Sequence, residues 1–322
     1  MRWLFALAFA AWCCDAQTAD KYSNARPPRD DEELRFWLEN MIWHHRFTTE
    51  EVSLATGLSA DAVTRAQQRL AIDSGNRPAI ANTGKVRMLP YPGGRHPRIG
   101  FLDGAVDPQR ETKISVFTPW DENSYVVVDL PEAIWCQHGL LYLAHTHVPT
   151  IWTKQGVTLE PLEWNRSGGA NSLEPRSRSG ETRLQSERKL PNGATFGAIA
   201  EPMTNAVRME LWLRNESNET LRDLRVQNCV MLNGAAGFEQ QTNANKIFQP
   251  PFVACGSPDR KRWIITAWTP LHRAWGNAPV PCLHSDPRFP DCVPGQTQRL
   301  RGWLWFYEGT SITNELQRLA AL

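Results

Sequence analysis

"VRMELWLRNESNETLRDLRVQNCVML", residues 207–232, decides the fold class of this chain. Its opening alternates, with Val207, Met209, Leu211 and Leu213 on one side and Arg208, Glu210, Trp212 and Arg214 on the other. Successive side chains of a strand point to opposite faces, so this is a strand with one face buried. A polar turn around Asn215 follows, and then "RVQNCVML" reads as a second, more apolar strand.

The same texture recurs on both sides of that stretch. "KISVFTPW", "SYVVVDLP", "LLYLAHTHV", "RWIITAWTP" and "RLRGWLWFYEG" are rich in β-branched and aromatic residues and bounded by proline, glycine or asparagine. In "LPNGATF", Asn192-Gly193 is a hairpin turn signal. Many strands without intervening helical periodicity predict a mainly β domain over residues 86–322, an antiparallel β-sandwich. The polar insert 165–185 reads as a surface loop.

Ahead of the strands the period changes. "DDEELRFWLENMIWHHR" spaces Leu34, Trp37, Leu38, Met41 and Ile42 three and four apart, one apolar helical stripe. "TTEEVSLATGLSADAVTRAQQRL" then offers Thr48 and Glu51 as a capping box, Gly57 as a break and Ser59 as the next cap. Three short helices over residues 30–75 follow, a small module covering the main domain. The spacing of "EEVSLATGLSADAVTR" resembles a bacterial helix-turn-helix. Its second helix carries Asp61 and only Arg65 and Arg69 as bases, which is no recognition face for nucleic acid.

The chain has 322 residues and a formal net charge of +1, so no global field draws it to nucleic acid or an anionic membrane. "MRWLFALAFAAWCCDA" combines Arg2, an apolar run and a small residue at Ala16, which reads as a signal peptide over residues 1–16. The run is too short for stable membrane insertion. Residues 17–29 read as a flexible lead-in, and the expected location is secreted or periplasmic. Five cysteines lie beyond the signal segment, of which Cys282 and Cys292 are the disulfide expected, while Cys229 reads as a buried thiol.

Four stretches carry chemistry. "HGLLYLAHTHVPTIW", 138–152, sets His145 and His147 on one face of a strand end, beside Trp152. A pair of imidazoles there can move a proton, bind a sugar hydroxyl or hold a metal ion. "GFLDGAVDPQRETK", 100–113, crowds polar groups around a turn, with Gln109 and Arg110 able to bind substrate. "TPLHRAWGNAPVPCLHSDPRFPDC", 269–292, reads as a proline-rich loop lining a cleft, with His272 as a further acid or base and Trp275 and His284 as substrate contacts. In "RGWLWFYEG", Trp303, Trp305 and Tyr307 share a face, which suits either sugar stacking or sheet packing.

The Gly139, His145, His147 spacing resembles the opening of the first cupin motif. That resemblance implies a divalent transition metal held by His145 and His147, with His272 or His284 completing the site through the fold. The strand, turn and strand of 207–232 together with "PGQTQRLRGWLWFYEG" resemble the β-supersandwich of galactose mutarotase-like carbohydrate-active proteins over residues 86–310. This second resemblance implies a sugar-binding sheet with a histidine and a carboxylate as acid and base, the histidine being His145, His147 or His272. The leading expectation is a secreted carbohydrate-active enzyme, a lyase, hydrolase or epimerase using histidine-assisted acid/base chemistry. A metal-dependent cupin-like enzyme and a non-catalytic carbohydrate-binding protein stand beside it.

Overall fold

The computed structural model describes residues 25–79, 84–93, 110–144, 148–165 and 183–321. His145, His147 and Gln109 lie outside the described residues, as do the signal segment and most of the 165–185 insert.

The alternation read from the sequence becomes two antiparallel sheets of seven strands each. The strands of sheet 1 are β1 (Met88–Pro90), β2 (Lys113–Phe117), β3 (Tyr125–Cys136), β4 (Gly139–Leu143), β8 (Val226–Met231), β12 (Leu271–Trp275) and β13 (Cys282–Pro287). Sheet 2 holds β5 (Leu184–Lys189), β6 (Ala194–Met203), β7 (Ala206–Asn215), β9 (Lys246–Gln249), β10 (Phe252–Gly256), β11 (Arg262–Thr269) and β14 (Thr297–Glu308). Sheet 1 runs in the order β1-β2-β3-β8-β13-β12 with β4 added on β3, and sheet 2 runs β5-β6-β7-β14-β11-β10-β9. Their inner faces interdigitate into one core, where Val116, Val126 and Val128 of sheet 1 join Phe196, Met209 and Leu304 of sheet 2. The predicted β-sandwich is present.

Local chemistry fixes the turns. Between β5 and β6, Asn192 Oδ1 accepts from the Ala194 N–H at 3.1 Å while Gly193 takes φ +90°, the left-handed backbone that glycine tolerates. In β7 Met209, Leu211 and Leu213 are buried, Arg208 is exposed and Glu210 and Arg214 are half-buried, as the alternation requires. Trp212, on the outward face, lies flat over Gly197, its partner on β6.

The helical module forms as three helices, α1 (Asp31–Leu38), α2 (Thr49–Thr56) and α3 (Ala60–Leu70), with a π-helical turn, Glu39–His44, extending α1. The capping box is made: the Thr48 N–H donates to Glu51 Oε2 at 2.8 Å and the Glu51 N–H to Thr48 Oγ1 at 3.3 Å. The module sits on the outer face of sheet 1. The Asn40 Nδ2 donates to Pro90 O at 3.0 Å, and the buried His45 bonds Ser115 Oγ at 2.7 Å with its ring edge against Tyr91, Phe117 and Tyr125. Within the expected lead-in, Arg26 is held by Leu162 O at 2.7 Å and by the carboxylates of Glu111 and Glu163.

Three further features were not foreseen. A fourth helix, α4 (Ile312–Ala320), packs Leu316 and Leu319 on the outer face of sheet 2. The expected loop 269–292 is a β-hairpin, β12 and β13, because its prolines fall at the ends and in the connection rather than inside the paired strands. The Cys282–Cys292 disulfide is not formed: all five described cysteines are free, Cys282 packing on the outer face of sheet 1 and Cys292 in the core between the sheets. No helix among the described residues is long and apolar enough to cross a membrane.

Candidate functional site

Sheet 2 turns an open face to solvent, and strand periodicity determines what it displays. Along β14 the inward Leu300, Leu304 and Phe306 are buried, while Arg299, Arg301, Trp303, Trp305 and Tyr307 alternate outward. Beside them β7 contributes Arg208 and Glu210, in register with Trp303 and Arg301 respectively. Glu201 of β6 stands opposite Arg208. Together with Arg183, Phe252 and the end of α4 these strands enclose a groove of about 830 Å³.

The groove is aromatic at one end and cationic along its length. The Trp303 and Trp305 rings are parallel within 9°, their centroids 5.6 Å apart, and both are only half-buried. Four guanidiniums, of Arg183, Arg208, Arg299 and Arg301, face two carboxylates, of Glu201 and Glu210. Glu201 is shared by Arg183 and Arg208, and Glu210 is paired to Arg299. Arg301 is exposed and makes no hydrogen bond or ion pair among the described residues. A positive excess therefore lines the groove of a chain that is nearly neutral overall.

A second polar constellation lies on the opposite sheet, buried. Cys282, His284 and Asp286 occupy alternate positions of β13 and share its outer face. The β13–β8 register, Cys282 opposite Met231 and Leu283 opposite Val230, brings Cys229 alongside them. The Cys282 Sγ stands 3.2 Å from His284 Nε2, and the two sulfurs and the imidazole lie within 4.8 Å of one another. Trp275, in register on β12, lies parallel to the His284 ring with centroids 3.9 Å apart. Asp286 is fixed by four donors: Arg273 Nε and Nη2, Trp275 Nε1, and the Asn228 N–H.

The electrostatics of this cluster divide the protons unequally. A hydrogen bond from Cys229 pulls the Cys282 thiol well below its ordinary range against the opposing effect of burial, and His284 adds to that pull. Burial, with the bond donated to Cys282, pushes Cys229 up. Burial disfavours protonated His284, but Asp286 and the Cys282 sulfur outweigh it and raise the imidazole. The shifts run in opposite senses, down for the Cys282 thiol and up for the His284 imidazole, which favours the proton on the ring over the proton on that sulfur. His284 and Cys282 are only 3% and 2% exposed, so a macromolecular substrate does not reach them.

The remaining predicted residues are dispersed. Arg110 is buried, its guanidinium 4.0 Å over the Trp37 ring and donating to Arg26 O at 2.8 Å. Trp152 is a core residue whose Nε1 donates to Leu141 O at 2.7 Å. His272 is exposed at the bulge of β12, an edge strand of sheet 1, on the other sheet from the groove. Trp275 and His284 are brought together, with each other and not with His272. Cys282, which the sequence reading gave to a disulfide, and Asp286, which it placed on the same loop as His284, carry with His284 the same i, i+2 signal that singled out His145 and His147.

No family model and no curated protein matches this chain. Among solved structures it is similar to the Slr1438 protein of Synechocystis sp. PCC 6803, at 10% identity and a TM-score of 0.33, over 61% of this chain and 88% of that one. It is similar also to the heparan sulfate lyase HepC of Pedobacter heparinus, at 9% identity and a TM-score of 0.36, over 86% and 46% of the two chains. A human-microbiome protein described as a kojibiose phosphorylase gives 6% identity and a TM-score of 0.29, over 44% of this chain and 20% of that one. The chain thus spans a fifth of the phosphorylase and under half of the lyase. Likeness of this order assigns neither family nor chemistry.

Proposed function

We propose that this protein is carbohydrate-active through the groove on sheet 2, where it takes up an anionic glycan. The observation that carries the reading is the alternation along β14, which sets Arg299 and Arg301 in one row with Trp303 and Trp305 on an open face. Indole faces and edges pack against the apolar C–H surface of sugar rings. Guanidiniums bind carboxylate or sulfate with paired donors. The excess of guanidinium over carboxylate selects an acidic glycan over a neutral one, and Arg301, without a partner among the described residues, is placed to receive it.

The reading favours binding over turnover. The acids of the groove, Glu201 and Glu210, are each held by arginine, and His272, the described member of the expected histidine set, stands on the other sheet. The same reading takes the chain as exported, on the basis of the apolar segment at residues 1–16.

Calorimetric titration with polygalacturonate, alginate and heparin fragments, beside neutral cello- and malto-oligosaccharides, tests the proposal. Binding is expected for at least one acidic series, and Trp303→Ala and Arg301→Ala each weaken it about tenfold or more, equivalent to about 1.4 kcal/mol. Equal affinity of both variants and the unaltered protein, or binding of neutral glycans alone, would refute it. Product release measured on the same samples separates an enzyme from a binding protein.

A further inference from the structure

We propose that Cys229, Cys282 and His284 form a binding site for one thiophilic d10 metal ion, Zn2+ or Cu+, on the outer face of sheet 1. Two thiolate sulfurs and an imidazole nitrogen are the donors such ions select, where carboxylate and water oxygens suit magnesium or calcium. The donor atoms lie within 4.8 Å of one another, with Cys282 Sγ 3.2 Å from His284 Nε2. Zn–S bonds of about 2.3 Å and Zn–N bonds of about 2.0 Å reach a common centre from such a triangle with small side-chain adjustments.

A second observation is independent of the cluster of donors. His284 Nδ1 is buried and has no hydrogen-bond partner among the described residues. It is flanked by two carboxylates just beyond bonding distance, Asp286 Oδ1 at 3.7 Å and Glu132 Oε2 at 3.9 Å. With Nε2 given to a metal, the ring keeps its proton on Nδ1, facing those carboxylates. This carboxylate, imidazole and metal sequence orients metal-bound histidines generally.

The surroundings are built to hold that arrangement. Trp275 lies against one face of the imidazole, which fixes the ring plane. The four donors on Asp286 keep its carboxylate in the outer position and out of the first coordination shell. Glu132 is restrained in turn by Gln227 Nε2 at 2.8 Å. The protein therefore supplies three ligands, which leaves trigonal Cu+ complete and gives tetrahedral Zn2+ one place for a small exogenous ligand. Binding releases two protons from the Cys229, Cys282 and His284 cluster to solvent, and two thiolates with a neutral imidazole cancel the charge of Zn2+.

The test uses the full chain, purified without an affinity metal column and kept reduced. One equivalent of Zn2+ is taken up in competition with a chromophoric chelator, and Co2+ substituted for it gives a thiolate-to-cobalt charge-transfer band. A parallel titration with Cu+ against a bathocuproine-type chelator decides which ion is preferred. Cys282→Ser and Cys229→Ser each lower the affinity by a hundredfold or more and abolish the cobalt band, while Cys255→Ser, a thiol outside the cluster, retains both. Circular dichroism of the metal-free variants separates loss of a ligand from loss of fold, and the cobalt band in the unaltered protein tests the site without any variant. No uptake by the reduced chain, uptake that survives Cys282→Ser in a folded protein, or a Cys229–Cys282 disulfide that resists reductant each overturns the proposal.

Discussion

His44 shows how one residue ties the fold to pH. Arg87 Nη1 donates to His44 Nδ1 at 2.9 Å, and a guanidinium has no lone pair to accept with, so the imidazole must be the acceptor and neutral. Burial, then the charges of Arg87 and His45, bring the imidazole down from 6.5 to about 2. The unfolded chain takes up this proton near pH 6.5 and the folded chain does not until about pH 2. Between those values the unfolded state binds more protons, so stability falls as pH falls. One such group contributes a slope of up to about 1.4 kcal/mol per pH unit. Urea unfolding from pH 7 to pH 4 is expected to show this loss on top of that from the carboxylates, and His44→Gln, whose amide oxygen can still accept from Arg87, removes about one proton's worth of slope. Equal slopes for the two proteins would show that His44 is protonated in the folded state.

The residue scale also explains why a dense run of charge misleads a reader of sequence. Arg110, Glu111 and Lys113 suggest a directed polar loop, yet all three are buried. Lys113 Nζ meets Asp129 Oδ1 at 3.1 Å with both side chains 0% exposed, directly across the β2–β3 ladder. Glu111 joins Arg26 to Arg188, holding a left-handed backbone at φ +28°. Removing one partner of such a pair leaves an uncompensated buried charge. These partners lie from 16 to 85 positions apart in the chain, and local patterning carries no record of them.

Among the elements, β14 holds a position whose packing admits little change. Gly302 faces inward opposite Trp268 of β11, and a Cβ there would stand 2.3 Å from the indole. Trp268 is fully buried in the core, so it cannot swing away into solvent. Gly302→Ala is expected to destabilise the protein by about 1–3 kcal/mol through overpacking. Trp268→Phe, destabilising alone, should cost less in the presence of Gly302→Ala than in its absence, because the smaller ring makes room. Additive losses in urea midpoints would mean that the strand simply moves aside.

At the same scale, what the sequence discloses follows the periodicity. β7 and β14 were legible in detail because one face is buried and the other wet, and α2 was legible because its capping box is local chemistry. The hairpin β12–β13 was read as a loop because prolines dominate its composition, although each falls where a ladder hydrogen bond is not required. The same composition suggested a disulfide between Cys282 and Cys292, whereas pairing with β8 carries Cys282 to Cys229 instead. That pairing, and with it the thiol–imidazole cluster, depends on strand order, which alternation does not encode. The row of arginine and tryptophan on β14 was visible as a shared face, but its exposure depends on where α4 stops.

On the scale of the whole molecule, a two-layer sandwich has two outer faces, and this protein treats them differently. The face of sheet 1 carries a contiguous apolar patch, Leu89, Tyr91, Phe117, Tyr125 and Val127, and the helices cover this patch through the His45 ring and the Asn40 amide. The face of sheet 2 is mostly polar, and α4 covers only its apolar end, which leaves the groove open. The helical module is therefore part of the solubility of the sandwich, and a chain lacking residues 1–79 would expose a contiguous aromatic patch. It would also leave Arg87 and Ser115 without their histidine partners. Such a chain is expected to be recovered mainly as aggregate, or as a soluble species that binds the dye ANS and has lost near-ultraviolet circular dichroism. A monomer that binds no dye and keeps the aromatic dichroism of the full chain would show that the sandwich closes its own outer face, and that the helices serve something other than its stability.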